Sequence, residues 1–368
     1  MAGLPDPTKG SVLEQDYAKY GFPLRTGPRY VALALVSDPW DYLDYYLRDR
    51  LSVAAAKRPR AFLEQARDFF DAAESHRVSS RPLLYYYSFL NLAKVLLLAK
   101  SHPLGDELAH GLKRVAPAPA GGKRFKALRV GVLKSASGRD VFPNFVTALG
   151  GSVGKGREFR LIDLLQQCVG IHSTWVEVTS SRGCFASARI EPRVRSDRTA
   201  AYARIILERP WDNDALPEAI RRRGNWRQVK APPEYRVGGS NHSSLVFLET
   251  RPVARTGLGY RAALTEVARA IRRVGVHALL TRQGYRLYLS HLGAAENARI
   301  PQLASIYAAM FYLGNITRYQ PQDFDTMVSG QWTWLVNDFL NSQPKQFLYL
   351  LASELTESDV VIPFGQVD

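Results

Sequence analysis

The sequence predicts an α+β protein that is mainly a helical bundle, formed by N- and C-terminal helices, with an antiparallel β-rich region inserted between them. Three observations predict this class. Apolar residues recur at helical spacing in residues 1–115 and again in residues 259–368. Short runs of β-branched or alternating apolar and polar residues fill residues 116–258. Helices do not alternate regularly with these strands, as a parallel sheet requires, so the sheet is expected to be antiparallel.

The N-terminal part is expected to contribute one short strand, at residues 30–36, and then helices. Ser37 or Asp38 can cap the first helix, and Pro39 suits its first turn. A second amphipathic helix is expected after Pro59, because apolar residues recur there every three or four positions. A short helix is predicted at residues 103–113, closed by Gly111.

The segment SRPLLYYYSFLNLAKVLLLAK, residues 80–100, is expected to be the central helix of the bundle. It is apolar nearly all round, and Ser88, Asn91 and Lys94 draw one narrow polar line along it. A helix of this kind is normally surrounded by other elements. The polar line makes the segment too hydrophilic for a membrane span, so it is interpreted as core.

The middle of the chain is expected to begin with a linker, from Lys113 to Arg139, which holds eight Lys or Arg residues and no Asp or Glu. Five strands are predicted in the middle region, within residues 125–134, 173–181, 183–194, 200–211 and 242–253, and the first of them overlaps the end of this linker. Short helices are predicted at residues 159–169 and 214–223. The run LGGSVGKG, residues 149–156, has a Gly where a phosphate-binding loop needs Ser or Thr, so it is interpreted as a turn.

The C-terminal part is expected to return to helix. An amphipathic helix is predicted at residues 260–275 and a strand or hairpin edge at residues 281–292. A strongly apolar helix, residues 300–319, and two more, residues 331–341 and 344–355, complete the predicted bundle.

Charge and composition favour a folded protein that associates with polyanions. The 368 residues carry a net charge of +15, a balance that favours polyanions such as nucleic acid or acidic membrane surfaces. Arg outnumbers Lys by 37 to 12, so codon bias is an alternative source of part of this charge. The two cysteines are too few for a disulfide framework, and the N-terminus lacks a secretory signal pattern, so a cytoplasmic location is expected.

A polar group in the central helix needs a partner, because an unpaired buried one costs a few kcal/mol. Asn91 precedes Lys94 by three residues, and Asn315 precedes Arg318 by three in the late apolar helix. One interpretation is a small basic pocket that binds a phosphate or carboxylate. Its expected members are Arg81, Asn91, Lys94, His110, Asn315 and Arg318. The alternative is that the two asparagines tie helices together while the cations reach water.

Catalytic motifs give little support to an enzyme. There is no G-x-S-x-G element, no H-E-x-x-H or H-x-H motif, and Cys168 and Cys184 lack metal-ligand neighbours, so neither a metal nor a cofactor is expected. An R-x(4–6)-H spacing typical of helical ribonucleases occurs at Arg286 and His291, at Arg272 and His277, and at residues 236 and 242. With this many arginines, about two such pairs arise by chance.

The chain resembles the bacterial YaaC-like family in three segments taken in order. These are RPLLYYYSFLNLAKVLLL in the central helix, LAHGL at residues 108–112 and NITRYQPQDFD at residues 315–325. Their order and spacing and the chain length agree with the family from about Trp40 onward, whereas the middle region matches loosely. The resemblance implies a cytosolic prokaryotic protein.

The segment YYYSFLNLAKVLL is also similar to the paired-helix signature of HEPN domains, which implies a HEPN-like helical core. Members of that superfamily are RNA-cleaving toxins, phage-defence effectors, or inactive binding and dimerisation modules. Arg81 matches the arginine of the active pattern, but no histidine follows at the required distance, and Asn91 and Lys94 occupy that region.

The sequence therefore predicts a non-catalytic binding or interaction module that contacts nucleic acid or nucleotides in phage defence or nucleic-acid metabolism. RNA or DNA would be contacted through the segments from Lys113 to Arg139 and from Arg251 to Arg286, and a homodimer or protein partner is also expected, but no membrane. The alternative is a HEPN-type metal-independent ribonuclease. Its catalytic groups would be Arg286 with His291, or Arg272 with His277.

Overall fold

The structure is a computed structural model of the 368-residue chain. It describes residues 11–12, 33–102, 104, 109–115, 124–134, 140–195, 197–208, 226–230, 245–255, 260–273, 275–291 and 297–363. The chain divides into two compact units. The helical unit comprises residues 36–183, 294–356 and 362–368, and the sheet unit comprises residues 1–35, 184–293 and 357–361. The predicted domain boundaries, after residues 115 and 258, fall inside the helical unit and the sheet unit respectively.

The described helices belong to the helical unit, apart from one in the sheet unit. They are α1 Pro39–Arg50, α2 Val53–Ser75, α3 Arg81–Ala99, α4 Arg124–Ala127, α5 Val141–Ala148, α6 Leu161–Gln166, α7 His172–Thr179, α8 Arg261–Arg273, α9 Gln302–Tyr319, α10 Pro321–Ser329 and α11 Thr333–Thr356. Helix α8 is the one in the sheet unit.

The described strands form three sheets. They are β1 Ser11–Val12, β2 Leu33–Leu35, β3 Leu112–Arg114, β4 Arg129–Val132, β5 Glu158–Arg160, β6 Phe185–Val194, β7 Ala200–Glu208, β8 Trp226–Val229, β9 Leu245–Thr250, β10 Val253–Ala254, β11 Val276–Thr281, β12 Gly284–Ser290 and β13 Asp359–Val361. The largest sheet has eight strands, in the order β11-β12-β6-β7-β9-β8, with β1 on β6 and β10 on β7.

Local sequence signals explain how the first helices begin. The side chain of Asp38 accepts hydrogen bonds from the backbone N–H groups of Trp40 and Asp41, and that of Ser52 accepts one from Ala55. These groups have no partner within the helix, so the caps stabilise both N-termini. The predicted Asp38 cap is confirmed. Helix α2 starts at Val53 with Pro59 inside it, so the prediction that it begins after Pro59 is wrong.

Helix α3 lies at the centre of the helical unit, as its apolar sequence predicts. It packs against α2 on one side and α9 on another, and Phe89 stacks on Phe347 of α11 at a ring distance of 4.0 Å. Helix α9 approaches closely at Gly314, where an added Cβ would lie 3.0 Å from the carbonyl oxygen of Pro82 and from Cβ of Tyr86. Glycine at this position therefore sets how near the two helices pack.

Helix α3 is also the single described helix that is long and apolar enough to cross a membrane. However, 61% of its most apolar window is buried inside the protein, which is typical of the core helix of a soluble protein. This burial agrees with the interpretation of residues 80–100 as core.

Tyr307 on α9 provides a test of this core. Its side chain is fully buried among Tyr86, Phe142 and Phe145, and its hydroxyl has no hydrogen-bond partner in the described residues. We expect Tyr307→Phe to raise the free energy of unfolding by about 1 to 3 kcal/mol, since it removes a buried polar group without a partner. Urea denaturation measures the change.

Tyr85 is the matched control, because its hydroxyl donates to Glu74 and accepts from Arg81. Tyr85→Phe should lower the free energy of unfolding by about 1 kcal/mol. A loss of stability in Tyr307→Phe similar to that of Tyr85→Phe would show that the Tyr307 hydroxyl is hydrogen-bonded after all.

The two faces of the large sheet differ in character. Alternate residues of β6, β7 and β9 face α8 and form an apolar core with it. That core contains Ala186, Ala188, Ile190, Ala203, Ile205, Leu207, Val246, Leu248, Leu264, Val267 and Ile271. The opposite face of the same strands carries charged and aromatic side chains. Helix α8 thus covers the apolar face of the large sheet, and the polar face lies on the side opposite α8.

The structure is α+β, which is consistent with the predicted class, but the prediction of a mainly helical bundle with an inserted sheet is wrong. The prediction places residues 259–291 in the bundle, yet α8, β11 and β12 belong to the sheet unit, where α8 packs on the sheet. Conversely, it places α5 to α7 in the inserted region, and these helices lie in the helical unit. An apolar helix stripe requires a covering partner but does not specify whether that partner is a helix or a sheet.

Several local predictions also need correction. Residues 173–181 alternate like a strand but form α7, and the predicted helix at 103–113 contains strand β3 at its end. The two predicted C-terminal helices are one helix, α11, with Pro344 inside it. Other local predictions are confirmed. These are the strands predicted within residues 183–194, 200–211, 242–253 and 281–292. The helix predicted at 214–223 lies outside the described residues.

Candidate functional site

Two of the six residues predicted to bind an anion, Asn91 and Lys94, are in contact. The ammonium of Lys94 donates to Oδ1 of Asn91 over 3.0 Å, and Nδ2 of Asn91 donates to Oε1 of Gln65 over 3.4 Å. Gln65 lies on α2, so the polar line of α3 turns toward α2 at this point. The side chain of Ser88 also faces α2, because its hydroxyl donates to the carbonyl oxygen of Ala66 on that helix.

Arg81 belongs to a different network of hydrogen bonds, which joins α3 to α11 and α2. Its guanidinium donates to Oδ1 of Asn341 over 2.9 Å and to the carbonyl oxygen of Leu340 over 3.2 Å, both on α11. It also donates to the hydroxyl of Tyr85, which in turn donates to Glu74. Burial raises the pKa of Tyr85 to about 12, so its phenol stays protonated at neutral pH. Arg81 thereby ties α2, α3 and α11 together.

His110, Arg318 and Asn315 lie apart from these contacts. Nδ1 of His110 accepts from the backbone N–H of Leu112, and burial lowers the pKa of this imidazole, which favours its neutral form. Arg318 donates to the hydroxyl of Tyr87 over 3.0 Å. Asn315 is half-buried on α9. In the described structure, no hydrogen bond or ion pair joins Asn91 and Lys94 to the other four predicted residues.

The histidines proposed for ribonuclease chemistry lie at the open end of the β11–β12 hairpin, one near the start of β11 and the other just after β12. His277 is 2% exposed and packs edge-on against Phe185. Arg286 is exposed and donates to Gln283, and His291 directly follows the last residue of β12. Five residues of extended chain separate Arg286 and His291, about 16 Å between their Cα atoms. The side chain of Arg272 lies outside the described part of the structure.

The described residues contain no group of three or more His, Cys, Asp or Glu side chains that could hold a metal ion. Cys168 is fully buried, and this burial raises the pKa of its thiol, which disfavours the nucleophilic thiolate. Its thiol donates to the carbonyl oxygen of Leu164. Cys168 therefore behaves as a small core residue.

Two charge clusters on the polar face of the large sheet were not predicted from the sequence. In the first, Glu191 pairs with Arg189 at 3.1 Å and with Arg193 at 2.7 Å. All three lie on β6 at alternate positions, so they share one face. A cluster in which one glutamate pairs with two arginines is here called an Arg–Glu–Arg triad.

The second triad spans three neighbouring strands. Glu249 on β9 accepts from Arg204 on β7 at 2.9 Å and from Arg227 on β8 at 3.1 Å. The strand register places Arg204 and Arg227 directly opposite Glu249, and Glu191 of the first triad directly opposite Arg204. The two triads therefore form adjacent parts of one charged face.

The triads have an inner and an outer arginine. The side chains of Arg193 and Arg204 are each 6% exposed, whereas those of Arg189 and Arg227 are 61% and 77% exposed. The inner arginine of each triad pairs with the glutamate in the interior, and the outer arginine presents its guanidinium to solvent. A guanidinium offers a planar set of donors that matches phosphate oxygens. Arg286 on β12 adds a further exposed cation to the sheet.

The net charge of the protein is concentrated in the same unit. Residues 184–293 hold 20 Lys and Arg and 9 Asp and Glu, a net charge of +11 out of the +15 of the whole chain. The predicted segment from Arg251 to Arg286 lies in this range, with Arg251, Arg255 and Arg282 exposed. The segment from Lys113 to Arg139 is described only in part, in the helical unit, where Lys126, Arg129 and Lys134 are exposed.

The fold and these clusters define an α+β protein with a helical unit and an arginine-rich antiparallel sheet unit. The family model of the YaaC-like proteins matches residues 27–355, and the chain therefore belongs to the YaaC-like family. No curated protein and no solved structure matches the chain. The similarity of α3 to HEPN domains stays a prediction.

Proposed function

We propose that this YaaC-like protein is a cytoplasmic, non-catalytic binding module whose sheet unit contacts nucleic acid. The observation that supports the proposal is the concentration of charge, +11 of +15, in residues 184–293 together with the two Arg–Glu–Arg triads. Cations that neutralise phosphates release counterions, so binding depends on salt and little on base sequence. The outer arginines Arg189 and Arg227, with Arg286, are the expected phosphate contacts.

The proposal is tested by measuring the affinity for a short single-stranded RNA across a range of salt concentrations. Each lost phosphate contact reduces the slope of log K against log salt by about 0.7 for a single strand. The triple variant Arg189→Gln, Arg227→Gln, Arg286→Gln should therefore lower the slope by about 2. Its triads keep Arg193 and Arg204 paired with their glutamates, so the fold should be retained.

The matched control replaces three exposed arginines of the helical unit, Arg48, Arg50 and Arg77. It changes the total charge by the same amount and should leave the slope within about 0.7 of the unmodified protein. Equal effects of the two triple variants would mean that only net charge matters, and RNA binding that does not vary with salt would contradict the proposal outright.

A further inference from the structure

A second candidate binding surface lies on the helical unit. Helices α2 and α3 run antiparallel, because Phe69 packs on Tyr87 while Phe62 packs under Lys94. Most of α3 is buried, but one stripe at helical spacing is partly exposed. That stripe consists of Leu83, Tyr87, Leu90, Lys94 and Leu98. It leaves an open strip of α3 beside α2, with apolar and aromatic side chains along it.

The first cluster on this strip combines two cations with one aromatic ring. The ammonium of Lys94 lies 4.6 Å from the ring centre of Phe62, and the guanidinium of Arg58 lies 6.0 Å from it. Burial, together with the nearby Arg58 charge, lowers the pKa of Lys94. No carboxylate in the described structure pairs with Lys94, whose hydrogen bond goes to the neutral Asn91. The attraction of an anion bound here would offset the cost of burying Lys94 and its repulsion by Arg58.

The second cluster repeats this arrangement two turns away. Phe69 stacks on Tyr87 with ring centres 5.3 Å apart, and Arg318 of α9 donates to the Tyr87 hydroxyl. The guanidinium of Arg318 also lies 5.0 Å from the ring of Tyr319, which is 61% exposed. Arg318 has five donor N–H groups and no carboxylate partner among the described residues. This cluster therefore offers an exposed ring face beside unused donors.

The spacing of the clusters indicates the class of ligand. Tyr87 and Lys94 are seven residues apart, about 10.5 Å along the helix axis. A small inorganic anion can reach one cluster only, whereas an elongated ligand with a flat ring and phosphates can reach both. Aromatic side chains bind nucleobases by stacking, and Lys and Arg bind phosphate.

We infer that this strip binds a nucleotide, with its phosphates at Lys94 and Arg58 and its base on the Tyr87, Arg318 and Tyr319 cluster. The nucleotide can be free or part of a single strand, since both present the same groups. The strip is formed by residues of the helical unit and uses none of the sheet-unit arginines, so the inference goes beyond the proposed function. It also gives Lys94 and Arg318 ligand-binding roles without requiring Arg81 or His110.

Isothermal titration with ADP, at fixed ionic strength, tests the inference. The protein should bind ADP about tenfold or more tightly than inorganic pyrophosphate, because pyrophosphate lacks a base to stack. Lys94→Met and Arg318→Gln should each weaken ADP binding at least tenfold, since each removes a charge-assisted contact. Lys57→Met and Arg77→Gln, which change exposed cations elsewhere, should leave it unchanged.

Urea denaturation of the same variants separates binding from folding. Lys94→Met should stay folded, with a urea midpoint close to that of the unmodified protein, because removing a half-buried cation without a counter-charge offsets the lost hydrogen bond to Asn91. A folded Lys94→Met that binds ADP normally, or an unmodified protein that binds no ADP at millimolar concentration, would overturn the inference. Equal affinities for ADP and pyrophosphate would overturn the stacking role. The sheet triple variant should keep full ADP affinity, so either proposal can fail alone, and competition by a short RNA shows whether strands use the strip.

Discussion

Replacing Glu249 by Gln is expected to lower the free energy of unfolding by about 3 to 5 kcal/mol, because the change removes the carboxylate that pairs with the buried guanidinium of Arg204. Glu249 is the shared partner of Arg204 and Arg227, and the Arg204 side chain is almost fully buried. Gln has nearly the same size, so the loss reports the charge and not a cavity. Urea denaturation measures it.

Two further variants identify the cause. Glu266 on α8 pairs with Arg269 on the surface, and Glu266→Gln should cost less than about 1 kcal/mol because both side chains are solvated. The double variant Glu249→Gln, Arg204→Met removes both buried partners and should be more stable than Glu249→Gln alone. Similar losses for Glu249→Gln and Glu266→Gln would show that Arg204 is solvated and that the triad contributes little.

The triads illustrate what a single sequence can and cannot predict about this site. The first is visible as Arg189, Glu191 and Arg193 at alternate positions of a predicted strand, and that local signal was missed. The second joins residues 204, 227 and 249 through the register of three strands. Strand order and register depend on long-range packing, so neither the pairing nor its burial follows from local patterns.

The central helix shows the opposite case. Its apolar run predicts burial wherever the neighbours come from, and the structure confirms it. The neighbours of the helix are harder to predict from the sequence. One interpretation groups Asn91 with Asn315 of the late apolar helix, whereas the side chain of Asn91 donates to Gln65 on α2. Helix α8 was misplaced for the same reason, since an amphipathic stripe packs equally well on helices or on a sheet. Element types were thus more predictable than the partners that each element finds.

Replacing Phe347 by Ala is expected to lower the free energy of unfolding by about 3 to 5 kcal/mol, because it empties a fully buried aromatic position. Phe347 joins α11 to the central helix through its stacking on Phe89, and its ring also approaches Phe145 of α5. The loss combines the transfer of the ring to water with the cavity that three packed helices cannot close. Urea denaturation followed by helical circular dichroism measures it.

Trp334 provides the matched control, because it lies on the same helix and its large side chain is 56% exposed. Trp334→Ala should cost less than about 1 kcal/mol, since little apolar area is uncovered and no cavity forms. Both variants introduce Ala into the same helix. The difference between their losses of unfolding free energy therefore measures the burial of Phe347 and not helix propensity. A small loss for Phe347→Ala would mean that α11 does not complete the core around α3, and the assignment of α3 as the enclosed centre of the helical unit would fail with it.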